Sequence, residues 1–257
     1  MEDRYNRFGG AEAAVATLAT MPEPAQVERA VPGEAAPALN VPGRTYLLAK
    51  RVFDVVVAAV ALVVFGLFLP LLTLIIKLDS PGPVFYSQER VGINRRRRGG
   101  NAAPRERRKV LQPGRPFKVH KLRTMRTDAE VGGPQWAAKN DARVTRVGRF
   151  LRKTRIDELP QFLNVLRGEM SLIGPRPERL CFVRQLEKEI PNYRDRLLVL
   201  PGITGLAQVV NGYDDGIESV KRKIALDCQY ISRAGLRQDT SILWSTVSVV
   251  LKGEGAR

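Results

Sequence analysis

The 257-residue sequence has few of the residues that build metal centres and disulfide frameworks. Its two cysteines, Cys181 and Cys228, are too few for a disulfide scaffold or a structural zinc site. A single histidine excludes a metal centre built from several histidines. Acidic residues are also scarce, with 26 Asp and Glu against 42 Lys and Arg, which gives a net charge of +16. The apolar content of 44% excludes a wholly disordered chain.

The positive charge is concentrated after residue 43. Residues 1–43 contain three basic and six acidic residues, so residues 44–257 carry a charge of +19. A field of this size indicates a polyanionic partner, which can be nucleic acid, a phosphorylated substrate or an anionic membrane surface. Residues 1–43 are rich in Ala, Pro, Glu and Gly and have little bulky apolar surface. This composition predicts a disordered tail.

Residues 55–76 (VVVAAVALVVFGLFLPLLTLII) contain no charged side chain. The run is long enough to cross the roughly 30 Å hydrocarbon layer as a helix. A buried helix of a soluble core is the alternative, but such helices rarely run this long without a polar face. We therefore expect this segment to lie in a membrane.

The flanks of this apolar run favour a re-entrant path over a single span. Basic residues stand on both sides, with Lys50 and Arg51 before the run and Lys77 after it, and basic flanks favour the cytoplasmic side. Pro70 is expected to kink or break the helix. We predict a re-entrant membrane helix over residues 44–78, broken at Pro70, whose two ends lie on the same face of the membrane. A straight span is the alternative.

Residues 84–94 and 116–122 are predicted to form two short strands. Residues 95–115, between them, contain nine basic residues and one acidic residue, which predicts a mobile basic loop. Beside a membrane such a loop attracts anionic lipid headgroups, by about 1 kcal/mol per basic residue. Nucleic-acid binding is the competing interpretation, but the loop has no interleaved aromatic residues and no base-reading module. We expect no nucleic-acid partner.

Residues 148–177 (GRFLRKTRIDELPQFLNVLRGEMSLIGPRP) contain the candidate chemistry. Apolar residues within 159–166 recur at i, i+3, i+4 and i+7, which predicts one face of a short helix. Pro160 is tolerated only in the first helical turn. This places Asp157 at or next to the N-cap of the helix, with Glu158 directly after it.

Two interpretations of this acidic pair remain open on the residues alone. The first is a helix cap together with a favourable negative charge at the positive end of the helix. The second is a phosphate site, because four basic residues stand between positions 149 and 155 and a rigid Gly-Pro-Arg-Pro element follows at 174–177. A carboxylate beside a bound phosphate can act as a nucleophile, and a second carboxylate can hold a divalent cation.

Five ordered segments spread over about 200 residues resemble the bacterial sugar transferases, the monotopic polyprenyl-phosphate phosphoglycosyl transferases. The segments are KRVFD (50–54), SPGPVFYSQERVG (80–92), PFKVHKLRTM (116–125), TRIDELPQFLNVLRGEMSLIGPRP (154–177) and PGITGLAQV (201–209). With the helix and strand patterns, this resemblance implies an α+β fold. The catalytic domain, residues 79–257, is expected to be mostly helical with a small sheet, to face the cytoplasm, and to be attached to the inner membrane by the re-entrant helix.

The resemblance also implies a reaction. Family members transfer a sugar phosphate from a UDP-sugar to a polyprenyl phosphate such as undecaprenyl phosphate and release UMP, which initiates a lipid-linked glycan such as an exopolysaccharide or capsule. Asp157 is then the nucleophile that forms a phosphosugar-enzyme intermediate, and Glu158 helps to hold Mg²⁺. Arg152 and Arg176 are then expected to bind phosphate. The expected partners are the UDP-sugar, the polyprenyl phosphate and anionic inner-membrane lipids.

Several points stay open in the sequence. Many relatives have Ser-Pro at the membrane helix break, whereas this chain has Leu69 before Pro70. The motifs do not indicate which UDP-sugar is used. A catalytically silent, membrane-attached scaffold that binds anionic lipid is the alternative function. Asp227, on a helix predicted over residues 217–235, is interpreted as structural. A last apolar helix over residues 242–251, which contains Trp244, is expected to pack into the protein, and a position in the membrane interface is the alternative.

Overall fold

A computed structural model of the chain describes residues 42–94, 113–133, 141–211 and 216–252. The predicted tail therefore lies outside the described residues except for residues 42 and 43, and so does most of the predicted basic loop. Within the described ranges the chain is mostly helical, with two small two-stranded sheets. The predicted α+β architecture is confirmed to that extent.

The longest element is helix α1, Arg44–Asp79. Its 36 residues correspond to a length of about 54 Å if the helix is straight. It is long and apolar enough to cross a membrane, and only 11% of its most apolar 18-residue stretch is buried, whereas the core helix of a soluble protein is mostly buried. Pro70 lies inside α1 and does not end it. The re-entrant path stays a prediction.

Helix α1 buries one continuous stripe of its surface. Ala58 belongs to the main hydrophobic core, and Phe65 and Ile76 belong to a second cluster that includes Leu122 and Leu151. The spacing of the buried positions follows the period of an α-helix, so the stripe faces the rest of the protein over the whole length of α1. The opposite side is an exposed apolar surface, which includes Val52, Val56, Val60, Val63, Leu67, Phe68, Leu71, Leu74 and Leu78.

The first part of α1 is fixed to the domain by polar contacts. The Nζ atom of Lys50 donates to Asp239 Oδ2 at 2.8 Å, and both side chains are buried. Arg51 donates to the carbonyl oxygens of Val165 and Leu166 at 2.6 and 2.8 Å. The interpretation of Lys50 and Arg51 as simple basic flanks of a membrane segment is therefore incomplete, because both side chains are bound by the protein.

The predicted strands are confirmed as an antiparallel hairpin of β1 (Phe85–Val91) and β2 (Pro116–Leu122), in which β1 ends three residues earlier than expected. The other elements, in chain order, are α2 (Arg146–Lys153), a 3₁₀ helix (Ile156–Gln161), α3 (Phe162–Leu166), β3 (Ser171–Ile173), α4 (Leu180–Glu189), a second 3₁₀ helix (Tyr193–Leu198), β4 (Gly202–Thr204), α5 (Leu206–Val210), α6 (Ile217–Arg233) and α7 (Leu236–Lys252). Strands β3 and β4 pair in parallel.

The main core joins elements that follow α1 in the chain. Val165 of α3, Met170, Leu206 of α5 and Ile231 of α6 are buried together in it. The predicted last helix exists as α7 and packs against the main core through Ile242, which is 2% exposed, whereas Trp244 is 57% exposed. A helix between core and surface buries only one face, and Trp244 lies on the other one.

Candidate active site

The two candidate catalytic carboxylates lie on the first 3₁₀ helix, Ile156–Gln161. Asp157 and Glu158 are its second and third residues and are 5% and 6% exposed. The predicted single helix is in fact this 3₁₀ turn followed by the short α3. Pro160 has no N–H to donate, which is compatible with a 3₁₀ turn that leads into a new helix.

Strand β2 brings Lys121 to this pair. The Nζ atom of Lys121 lies 2.6 Å from Glu158 Oε1 and 3.9 Å from Asp157 Oδ2. Arg176 donates from Nη2 to the same Glu158 oxygen at 2.8 Å. Glu158 is thus held between two cations, whereas the ammonium group of Lys121 is farther from Asp157.

The pKa values of the two adjacent carboxyl groups are therefore shifted in opposite directions. Burial raises the pKa of Asp157, and the charge of Glu158 adds to this effect, although Lys121 opposes it. For Glu158, burial acts in the same direction, but the charges of Arg176 and Lys121 outweigh it and hold its pKa well below the usual range. Glu158 is consequently the firmly ionised member of the pair, and Asp157 is the more basic one.

The carboxylates open onto a cavity of about 690 Å³. All four predicted site residues of the catalytic part, Arg152, Asp157, Glu158 and Arg176, line it. The structure thus brings together residues from α2, the 3₁₀ helix and the loop after β3. Pro70, which lies within α1, is not among the residues that line this cavity.

Among the described residues, the cavity wall has a strong excess of positive charge. Nine Lys or Arg residues and four Asp or Glu residues line it. Arg152 also donates from Nε to Thr124 Oγ1 at 2.9 Å, which holds its guanidinium group in position. A concave surface with this charge suits an anionic ligand, and guanidinium groups match the geometry of phosphate oxygens.

A second layer of contacts fixes the loop that carries Arg176. Arg196 donates from Nη2 to the carbonyl oxygen of Arg176 at 2.8 Å, and forms a 2.8 Å ion pair with the buried Asp227. Glu178, two residues later, accepts from Lys223 at 2.8 Å. These contacts agree with the interpretation of Asp227 as structural, because it acts on the loop through Arg196.

The carboxylate pair fits a magnesium ion that arrives with a phosphate ligand. Mg²⁺ is usually bound by one or two carboxylates together with waters and substrate phosphates, not by a complete protein cage. Asp157 and Glu158 provide such carboxylates at the cavity wall. In the described part of the chain, no group of three or more His, Cys, Asp or Glu residues is placed to hold a metal by itself.

Sequence reasoning missed Lys121 as a site residue. The register of the hairpin places Lys121 opposite Tyr86, and both residues line the cavity. Lys121 is 37 positions from Glu158 in the chain, so helical or strand periodicity could not connect them. The available signal was its place in the segment 116–125, one of the five that carry the family resemblance.

Comparisons with known proteins match most of the chain. A family model described as "Bacterial sugar transferase" matches residues 45–253. The chain is 43% identical over 217 residues to the UDP-N-acetylgalactosamine-undecaprenyl-phosphate N-acetylgalactosaminephosphotransferase of Aeromonas hydrophila, a match that covers 84% of this chain and 47% of that protein. It is 41% identical over 211 residues to the UDP-glucose:undecaprenyl-phosphate glucose-1-phosphate transferase of Caulobacter vibrioides, which covers 81% of this chain and 72% of the relative.

A third relative matches over nearly its whole length. The exopolysaccharide production protein PSS of Rhizobium leguminosarum is 38% identical over 216 residues, which covers 81% of this chain and 98% of that protein. In contrast, the chain spans about half the length of the Aeromonas relative. The matched region contains α1, the hairpin and the cavity.

Proposed function

Because the chain belongs to the bacterial sugar transferase family, we propose that it transfers a sugar-1-phosphate from a UDP-sugar to undecaprenyl phosphate or a similar polyprenyl phosphate and releases UMP. The observation that carries this proposal is the buried pair Asp157 and Glu158 at the wall of a strongly basic cavity. The names of the relatives include exopolysaccharide production, so the product is proposed to start such a glycan, or a capsule.

The reaction proceeds in two displacements at the phosphorus next to the sugar. A carboxylate oxygen of Asp157 forms a bond to that phosphorus, and the bond to the leaving UMP breaks. A phosphate oxygen of the polyprenyl phosphate then attacks the same phosphorus and releases Asp157 as a carboxylate. The raised pKa of Asp157 is consistent with this role, because a more basic carboxylate is a better nucleophile once it is ionised.

Positive side chains at the cavity wall stabilise the phosphate charge. Arg152 and Arg176 are proposed to bind phosphate oxygens, and Lys121 stands beside both carboxylates. Glu158 is proposed to hold Mg²⁺, which supplies further neutralisation of the diphosphate when it is bound. Because Glu158 Oε1 already accepts from Lys121 and Arg176, it also keeps these two cations at the place where the phosphate charge develops.

We further propose that α1 is re-entrant and that the catalytic part lies on the cytoplasmic face of the inner membrane. Two observations support this path. Near one end, Arg51 binds carbonyl oxygens of α3, and at the other end Asp79 accepts from the backbone N–H of Val147 in α2 at 2.9 Å. In the middle, Phe65 lies in the same hydrophobic cluster as Leu151 of α2. A straight span would place this middle at the bilayer centre, away from a charged domain.

The first test of the reaction is UMP release by the detergent-purified full chain with Mg²⁺, undecaprenyl phosphate and a panel of UDP-sugars. The panel includes UDP-glucose, UDP-galactose and UDP-N-acetylgalactosamine, because the names of the relatives differ in the sugar. Release that requires both the lipid and the metal supports the transferase, and the sugar that responds is the substrate. Folded protein that releases no UMP with any sugar would favour the silent scaffold.

The path of α1 is tested by labelling from one side of the membrane. Single cysteines are placed at Arg44 and Lys77, in a chain whose Cys181 and Cys228 are replaced by serine. An impermeant maleimide is then added to inverted vesicles or to spheroplasts. Labelling of both positions only from the cytoplasmic side supports the re-entrant helix, whereas labelling from opposite sides would overturn it.

A further inference from the structure

Arg155 has a backbone conformation that an arginine adopts only at a cost. Its φ and ψ angles are 59° and 12°, in the left-handed region, where the Cβ atom of an L-residue is crowded. Among the described residues, the one other non-glycine residue with a positive φ is Asn192. Glycine relieves this crowding, and asparagine tolerates it better than other residues with a side chain.

The two left-handed residues have the same structural task. Each directly precedes a 3₁₀ helix, and Asn192 has φ and ψ angles of 61° and 15°. The carbonyl oxygen of Arg155 accepts from the N–H of Glu158 at 3.1 Å, and that of Asn192 accepts from the N–H of Asp195 at 2.9 Å. The backbone turn alone is therefore served well by asparagine or glycine, and it gives no reason for an arginine at position 155.

The surroundings of the two residues differ. Arg155 is half-buried and lines the cavity, whereas Asn192 is exposed and is not among the residues that line it. The guanidinium of Arg155 is close enough to Glu158 to contribute to its lowered pKa. Arg155 also lines the same cavity as the two predicted phosphate ligands, Arg152 and Arg176, and lies two residues before Asp157.

We propose that Arg155 is a catalytic residue whose guanidinium binds the diphosphate of the nucleotide donor, and that the left-handed turn is retained because it directs this side chain to the cavity. The inference rests on the proposed function, which supplies a nucleoside diphosphate sugar as the ligand. Within that function it adds a third guanidinium to Arg152 and Arg176. Charge-assisted hydrogen bonds to phosphate match the planar guanidinium fork.

Three variants separate the charge of Arg155 from its backbone: Arg155→Gly, Arg155→Ala and Arg155→Lys. Binding of UDP with Mg²⁺ is measured by calorimetry, turnover by UMP release, and stability by thermal melting, all with the full chain in detergent. We expect Arg155→Gly and Arg155→Ala to weaken UDP binding and to lower kcat/KM by about 10- to 100-fold. Arg155→Lys keeps the charge but not the fork, and its loss should be smaller.

The stability readout should move in the other direction. Arg155→Gly relieves the left-handed backbone, so its melting temperature should equal or exceed that of the wild type, while Arg155→Ala should melt lower. Asn192→Gly changes the matching turn away from the cavity and should leave UDP binding and turnover within twofold of the wild type. Lys153→Ala removes an exposed charge nearby, outside the residues that line the cavity, and should do the same.

Two results overturn the inference alone. Wild-type UDP affinity and turnover in Arg155→Gly would show that Arg155 has only a backbone role. An equal loss of UDP affinity and turnover in Lys153→Ala would show that any positive charge near the cavity has the same effect as Arg155. Wild-type protein that neither binds UDP nor releases UMP would overturn the proposed function together with the inference. If Arg155→Gly does not fold, Arg155→Lys is the test. Wild-type UDP affinity in this variant, which has no guanidinium group, would contradict binding of the diphosphate by the guanidinium of Arg155.

Discussion

Two neighbouring clusters of oppositely charged side chains differ in their access to the cavity. In the first, Glu158 is held by Lys121 and Arg176, whose side chains keep 23% and 32% of their surface exposed. In the second, Asp227 and Arg196 are both 2% exposed. The cations of the first cluster line the cavity, where a phosphate ligand can reach them, whereas Arg196 is enclosed and is not among the lining residues. Access to the cavity, and not charge pairing, separates the proposed catalytic cluster from the structural one.

Among variants that test this comparison, Asp157→Asn is expected to have the largest effect on turnover. Loss of the proposed nucleophile should lower turnover by at least about 10³-fold. The fold should be unharmed or stabilised. Because the folded-state pKa of Asp157 is raised, its ionised form opposes folding at neutral pH, and the amide removes this cost. UMP release and thermal melting measure the two effects. Near-normal turnover would remove Asp157 from the nucleophile role.

Glu158→Gln should lower turnover by about 10²- to 10³-fold and raise the Mg²⁺ concentration needed for half-maximal rate. It should also destabilise the protein, because Lys121 and Arg176 lose their shared counter-charge. The pKa of Glu158 is lowered in the folded state, so its contribution to stability is present above the unfolded-state pKa and is lost as the pH falls. A magnesium titration and pH-dependent melting test both points. An unchanged metal requirement at near-normal rate would contradict the assignment.

Asp227→Asn probes the structural cluster and should mainly affect stability. It removes the buried ion-pair partner of Arg196, and breaking such a buried pair typically costs about 3–5 kcal/mol. At a temperature where the variant stays folded, turnover should fall less than in Glu158→Gln, because Asp227 reaches the site only through Arg196 and the carbonyl of Arg176. Chemical unfolding and UMP release provide the comparison. A stable variant without turnover would break the distinction between the clusters.

The smallest expected effect is a shift in the pH profile. The proposed mechanism requires ionised Asp157, so kcat/KM should rise about tenfold per pH unit up to the pKa of this carboxyl group, which burial raises above the ordinary value of about 3.9. The charge of Glu158 contributes to this rise. The residual activity of Glu158→Gln should therefore reach its plateau at lower pH than the wild type. An identical acidic limb in both proteins would show that the two carboxylates do not interact.

The sequence predicted those parts of the fold that depend on local patterns. The apolar run within α1, the two strands of the hairpin and helix α6 were identified from composition and periodicity, within a few residues of their observed bounds. The 3₁₀ helix was not distinguished from an α-helix. Its six residues are too few to show the difference between three and 3.6 residues per turn.

The parts of the site that depend on tertiary contacts could not be predicted. Lys121 reaches Glu158 through the hairpin register, and Arg196 reaches Arg176 through a loop contact between residues 20 positions apart. Likewise Lys50 was interpreted as a membrane flank because its partner, Asp239, is 189 positions away. Charge patterns show that a residue is basic, but not which buried acid it meets.

The contact between Arg51 and the end of α3 has a consequence for the meeting of enzyme and lipid. It joins α1 to α3, the segment that directly follows the 3₁₀ helix of Asp157, so the position of α1 fixes the position of Asp157. With α1 in the membrane as proposed, its depth sets the height of Asp157 above the lipid tails. A polyprenyl phosphate keeps its phosphate at headgroup level, so it reaches the enzyme by lateral diffusion in the plane of the membrane. A thinner or thicker bilayer should therefore change the KM for the lipid acceptor and leave the KM for the soluble donor unchanged.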